Sequence, residues 1–234
     1  MILREIIEEL AYPLKQRKIV NVCVSPIYTA VMLDNQSIGI SHTIVDGEIS
    51  HAGEIVGANA YDIVIENLDS NLQRSVSLAI LNSLGEQSSY TQGDPLSLYS
   101  GVKLCVFGYT PQVSASNFDT IITYDFASNE TRKIGNTEIR PFSTLTKEYC
   151  STAVIFGSTL VNNTIDKIIS QVSADHLILT GISSVDAPIT LKNYGFEVIS
   201  KLFSSDKYRV FRIVCEGGNN RALGKYMIRY FRKI

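Results

Sequence analysis

The stretch Phe156-Gly157-Ser158-Thr159-Leu160-Val161-Asn162-Asn163-Thr164-Ile165-Asp166 decides how the second half of this chain is read. The run from Ala153 to Phe156 is apolar and strand-like. A turn of small residues follows at Gly157-Ser158-Thr159, and apolar residues then recur at Val161, Ile165, Ile168 and Val172, the spacing of one helix face. Strand, tight turn and amphipathic helix in that order belong to an open parallel sheet. There the turn sits at the carboxyl end of the strand, where backbone N–H groups and short polar side chains can meet a ligand.

Outward from that stretch, strand-like and helical segments alternate. Strands are expected at Val102 to Phe107, Thr120 to Tyr124, Ala153 to Phe156, His176 to Leu179 and Val198 to Phe203, so the half reads as a mostly parallel α/β sheet. The basic segment from Arg221 to Ile234 reads as an amphipathic helix with a solvated cationic face. The first half has a different rhythm. A helix over residues 2 to about 16 precedes strand-like runs at Ile19 to Val24, Tyr28 to Leu33 and Ser37 to Ser41, the last two joined through Asp34-Asn35-Gln36 as a hairpin. Residues 48–69 are irregular, and a largely apolar helix follows from Leu72 to Leu84. The polar segment ending in Gly93-Asp94-Pro95 marks the boundary between an α+β domain over 1–93 and an α/β domain over 94–234.

Composition narrows the function classes. The chain has 234 residues, 45% of them hydrophobic and 19% charged, with a formal net charge of −2. No strong field exists to attract nucleic acid or an anionic membrane. The N-terminus lacks a signal-peptide pattern and no apolar run has spanning length, so a cytoplasmic protein is expected, with no membrane partner. Cys23, Cys105, Cys150 and Cys215 are scattered, with no zinc half-site spacing. Buried inert thiols are expected for Cys23 and Cys105, Cys150 is the best candidate for an accessible thiol, and no structural disulfide is expected.

The strand ends of the second half supply the candidate site: Gly108-Tyr109-Thr110, Asp125, Gly157-Ser158-Thr159 with Asn162, and Gly181. Glycine allows the tight turns and hydroxyls offer donors and acceptors, although strand-to-helix turns and helix caps use the same residues for structural reasons. Tyr28, Thr29, His42 and Thr43 of the first half are expected to form the facing wall. Backbone N–H groups at 157–160 would bind an anionic group, Asp125 would supply a carboxylate and Asn162 would orient the ligand. His42 and Asp125 are the candidate metal ligands. His42 and His51 with Asp46, Glu48 and Glu54 could also surround a metal, but solvated loop residues are the simpler reading of that spacing. Neither a Gly-x-Gly-x-x-Gly turn nor a Walker sequence is present, which disfavours standard NAD or ATP sites.

Asn82 at the end of a buried helix, Gly108-Tyr109-Thr110-Pro111, Thr159-Leu160-Val161-Asn162-Asn163-Thr164-Ile165-Asp166, Thr180-Gly181 and residues 191–196, in that order, resemble the family named for "putative heavy-metal chelation". The resemblance implies an enolase N-terminal-like domain followed by a Rossmann-like three-layer domain. It also implies a site between them that handles a metal or a metal-containing compound, with a metal ion as the one cofactor it points to. Two features depart from the family pattern: Gly181-Ile182-Ser183 stands where a Gly-Pro-Ser/Thr turn is expected, and the rim holds few soft ligands, which argues against chelation by cysteine. The alternatives are an enzyme binding a nucleotide or S-adenosyl compound, with Asp125 on the ribose, and a non-catalytic dimeric scaffold, the homo-oligomer case.

Overall fold

The computed structural model describes residues 1–108 and 117–234. The chain begins with α1 (Ile2–Glu9) and α2 (Ala11–Lys15), continues through β1 (Ile19–Val24), β2 (Tyr28–Leu33) and β3 (Ile38–His42), and then forms α3 (Ala60–Glu66) and α4 (Asn71–Asn82). The first helix is interrupted at Leu10 rather than continuous, because Pro13 lacks an N–H and its ring crowds the carbonyl one turn back. The segment read as irregular contains α3, whose first turn is capped by the Asn59 side chain. A capping box between Ser70 and Gln73 starts α4.

The strands β1, β2 and β3 form an antiparallel sheet in that order, with Cys23 opposite Ala30 and Tyr28 opposite His42. Every residue of β2 is buried, which explains its unbroken apolar run. Val31 and Leu33 join the main core with Leu78 and Leu81 of α4. Tyr28, Ala30 and Met32 point the other way, into a second cluster. On the α4 side contact is backbone to backbone: a Cβ at Gly39 would lie 1.9 Å from the Ala79 carbonyl oxygen.

The second half continues with β4 (Thr91–Gln92), β5 (Gly101–Phe107), β6 (Phe118–Asp125), β7 (Arg132–Ile134), β8 (Thr137–Pro141) and β9 (Glu148–Phe156). It ends with α5 (Ser158–Val161), α6 (Ile165–Gln171), β10 (Val172–Thr180), α7 (Pro188–Asn193), β11 (Val198–Ser204), α8 (Lys207–Cys215), α9 (Asn220–Leu223) and β12 (Met227–Lys233). A nine-stranded sheet results, in the order β4-β12-β11-β10-β9-β5-β6-β8-β7. Its centre, from β11 to β8, is parallel, and the flanking pairs β11–β12, β12–β4 and β7–β8 are antiparallel. Leu104 to Phe107 are buried on both faces, as central parallel strands require. The fold is therefore mixed α/β, a large mostly parallel sheet beside a small antiparallel one. The second cluster joins them: Val210, Phe211 and Val214 of α8 pack on Tyr28, Ala30 and Met32 of β2.

Four expectations need correction. The single helix after Gly157 is two short ones, broken at Asn162-Asn163 where Asn163 takes φ 58°, and Val172 opens β10 instead of ending a helix. The C-terminal segment is helical only at Asn220–Leu223; Met227–Lys233 is a strand, fully paired along β11. Its apolar and aromatic residues come in adjacent pairs between cations, a pattern clean for neither period, and pairing along β11 decides the strand. Cys105 and Cys150, expected as thiols, are joined in a disulfide with Cα atoms 5.9 Å apart, and Cys150 is fully buried. Sheet order causes this, since β9 lies directly beside β5. Among the described residues, no helix is long and apolar enough to cross a membrane.

Candidate functional site

The chain runs from β5 outward to β6 and β8, then returns to lay β9, β10 and β11 on the other flank of β5. The direction of strand addition therefore reverses between β5 and β9. In open parallel sheets the carboxyl ends at such a reversal leave a crevice, because the loops on either side diverge. Here those ends are Gly108 and Phe156, with Gly181 following β10.

Local packing explains the two glycines. Gly108 has φ 110° and Gly181 has φ 102°, a region costly for any side chain. A Cβ at Gly108 would lie 3.1 Å from the Phe156 Cβ, and one at Gly181 would lie 2.9 Å from the Phe156 ring. The two turns thus pack directly against Phe156 from both sides, and Phe156 lines the adjoining pocket.

Gly157-Ser158-Thr159 has a different role from its sequence appearance. The Gly157 N–H donates to Thr180 O at 2.7 Å, and the Leu160 N–H donates to Gly157 O. A Cβ at Gly157 would lie 2.3 Å from the Ser183 carbonyl carbon. Thr159 is buried and donates its hydroxyl to Phe156 O at 2.7 Å. The Asn162 carboxamide oxygen accepts from the Thr164 hydroxyl. Gly157 therefore locks its turn to the one after β10, the Thr159 and Asn162 side chains are taken up within their own segment, and only Ser158 of this group lines the adjoining pocket.

That pocket has a volume of about 390 Å³ and is lined from both sheets. Tyr28 and His42 contribute from the antiparallel sheet, their rings 5.1 Å apart and tilted by 34°. Gly108, Phe156, Ser158 and Gly181 contribute from the parallel one. Asn220, Met227 and Arg229 complete one side. Burial holds the His42 imidazole below its ordinary pKa, partly offset by a hydrogen bond to the Ile27 carbonyl, so the ring is neutral at pH 7 and one nitrogen keeps a lone pair. Burial also raises the Tyr28 phenol. Arg229 gives one N–H to Asp94 at 2.8 Å and keeps further donors.

Two hydrogen-bonded ties seat the sheets. The His42 N–H donates to the Ser183 hydroxyl at 2.9 Å. The Asn82 carboxamide donates to both Ile40 O, on β3, and Ile182 O, after β10.

Several sequence candidates lie elsewhere. Thr29 points to the opposite face of β2, with its hydroxyl 2.8 Å from that of Thr43. Asp125 ends β6, accepts from the Ala127 N–H and is not in the pocket lining, so it is not brought together with His42 there. Tyr109 and Thr110 lie outside the described residues. His51 faces Glu54 and Glu66 rather than His42. Among the described residues, no group of three or more His, Cys, Asp or Glu is placed to hold a metal ion. Sequence reading missed Met227, Arg229 and Asn220. The pattern of Met227–Lys233 does not alternate, so it held no clear strand signal for Met227 and Arg229.

Comparison with known proteins supplies the family. Residues 93–233 match the DUF364 family model and residues 7–85 match the DUF4213 model, both described as "putative heavy-metal chelation". No curated protein matches the chain. A DUF364 structure of unknown function from Desulfitobacterium hafniense DCB-2 aligns over 98% of each chain with TM-score 0.78 and 16% identity. Another from Pyrococcus horikoshii aligns over 100% of each with TM-score 0.78 and 15% identity. At those identities the likeness shows the fold. The matched models together span most of the sequence, and the chain belongs to the DUF364 family, described as "putative heavy-metal chelation".

Proposed function

We propose that the chain binds a small polar, metal-containing compound in the pocket between its two sheets. In this reading residues 1–93 are an enolase N-terminal-like domain, residues 94–234 are a Rossmann-like domain, and the pocket is the cleft between them. The observation that carries it is the meeting of Tyr28 and His42 with Gly108, Phe156, Ser158 and Gly181 at the reversal of strand order. The aromatic floor suits a flat ligand face, and Ser158, Asn220 and Arg229 suit its polar edge.

A resident metal cage does not fit the described residues, which lack a three-donor group. The metal accordingly enters as part of the ligand, already chelated, with neutral His42 offering one further donor. A thermal-shift panel tests this with nickel, zinc and copper ions, their citrate complexes, and free citrate. At roughly 100-fold excess over Kd a bound chelate stabilises by about 2.7 kcal/mol, a rise of roughly 5–10 °C at this size. The expected result is a shift with chelates that exceeds that with ions or citrate and falls by at least half in His42→Ala. A chelate shift indifferent to His42→Ala, or no chelate shift at all, overturns the reading.

A second reading has one observation behind it. Asp125 ends β6, the strand beside β5, where a Rossmann-like site holds a ribose. Including S-adenosylmethionine, S-adenosylhomocysteine and NAD in the same panel separates the two, since only this reading expects them to stabilise the protein.

A further inference from the structure

Two cysteines remain free, Cys23 on β1 and Cys215 at the end of α8. Strand pairing and helix spacing bring them to one seam. Cys23 lies directly opposite Ala30 of β2, and residues paired in this way point to the same face of an antiparallel sheet. That face is covered by Val210, Phe211 and Val214 of α8, and Cys23 packs against the same cluster as Ala30. Cys215 follows Phe211 by one helical turn, which places it on the flank of the buried helix face. The two sulfurs meet there: burial, a hydrogen bond with Cys215 and the charge of Cys215, in that order, push the Cys23 thiol up to about 12. A glycine turn fixes the helix end, since Gly217 takes φ 75° and the Gly218 N–H donates to Ile213 O at 2.8 Å. Cys215 is exposed and Cys23 is half-buried behind it, so one thiol meets solvent and the other meets its partner.

We propose that Cys23 and Cys215 form a redox modification site, in which a low-molecular-weight disulfide such as oxidised glutathione converts the pair into a reversible disulfide tying β1 to α8. The Cys215 thiolate attacks one sulfur of the oxidised glutathione, which forms a mixed disulfide on Cys215 and expels one glutathione thiolate. Cys23 then loses its proton to solvent and attacks the Cys215 sulfur, closing the Cys23–Cys215 bond and releasing the second glutathione. The two cysteines give up two electrons and two protons, and the glutathione disulfide is reduced to two thiols. The bond has a consequence for the pocket between the sheets. Tyr28 of β2, the strand beside β1, lines one side of that pocket, while Cys215 leads through Gly217-Gly218 into α9, whose Asn220 and Leu223 line another. Oxidation therefore fastens one wall to the other. Formation of the bond does not depend on what the pocket binds, so it stands or falls separately from the chelate reading.

The test incubates the folded full chain with oxidised glutathione and reads intact mass, non-reducing peptide maps and the melting temperature. Wild-type protein is expected to lose both free thiols, to retain no glutathione and to yield a Cys23–Cys215 cross-linked peptide. Cys23→Ser is expected to stop at the first step, with glutathione kept on Cys215. The cross-linked protein should melt roughly 5 °C or more above the reduced pair, because the bond closes a loop over most of the chain. Wild-type protein that keeps glutathione on Cys215 without a cross-link, or in which Cys215 does not react, overturns the proposal. A cross-link that lowers the melting temperature also overturns it, since the seam would then have opened to admit the bond. The wild-type measurements do not depend on any variant folding.

Discussion

Replacing Gly157 by alanine is expected to destabilise the protein by about 3 kcal/mol, the upper end of what forced overpacking costs. Backbone conformation is not the cause, since Gly157 has φ −58° and ψ −17°, open to any residue. The obstruction is what the methyl group meets. It would stand 2.3 Å from the Ser183 carbonyl carbon, 2.4 Å from its oxygen and 2.5 Å from the Ser184 nitrogen. These are main-chain atoms, so no rotamer change relieves the contact. They are also anchored, with the Ser184 N–H donating to Gly181 O and the Gly157 N–H to Thr180 O. Urea unfolding at constant m measures the cost, and the melting temperature should fall by roughly 6–12 °C for a chain of this size. A loss below about 1 kcal/mol would mean that the two turns are not held as described.

Arg74→Met is expected to cost about 3 kcal/mol, because it removes the donor of three hydrogen bonds, the one to Val161 O buried and the other two part-buried. Arg74 sits on α4, is 8% exposed, and donates to Val161 O at 2.7 Å, Leu68 O at 2.6 Å and the Asn71 carboxamide oxygen. Burial lowers its pKa, with Asp46 and Asp69 acting against the shift, yet a guanidinium keeps its charge throughout the ordinary pH range. Methionine fills much of the volume but removes this donor from three acceptors; a buried unpaired group costs about 1–3 kcal/mol, and the two part-buried ones add less because water can reach them. Arg74→Lys should recover only part, since one ammonium cannot span three acceptors fixed for a planar fork. Equilibrium denaturation of both variants measures this. A methionine variant within about 1 kcal/mol of wild type would show that the network contributes nothing net.

Local pattern carried much of the architecture. The five strands expected in the second half all exist, with ends shifted by a few residues, because buried parallel strands leave continuous apolar runs. In the first half, β2 was legible because all of it is buried, and α4 because burial leaves its helix largely apolar. What was hidden depends on partners far along the chain. Met227–Lys233 becomes a strand because β11 is beside it, and its cations suited a helix face equally well before that neighbour was known. The Cys105–Cys150 bond follows from strand order, which spacing between cysteines does not encode.

The sequence shows glycines and hydroxyls at the strand ends, but not what each of them packs against. Gly108 and Gly181 were noticed as turn formers, but their reason is the Phe156 ring between them. Gly157 and Thr159 have ligand-binding composition and a packing role, since Thr180 O accepts the Gly157 N–H, Ser183 packs against Gly157, and Phe156 O accepts the Thr159 hydroxyl. Lys201 and Asn82 pair across 119 residues of sequence, a distance over which no periodicity gives warning.

The central claim is that the pocket floored by Phe156, between the two sheets, is where this chain meets its ligand. Amide chemical-shift mapping with a library of small polar and metal-chelating fragments tests it most directly, because no single ligand need be guessed. Shifts from different fragments are expected to converge on Tyr28, His42, Gly108, Ser158 and Gly181. Convergence on any other surface, with these five amides unmoved, would contradict it.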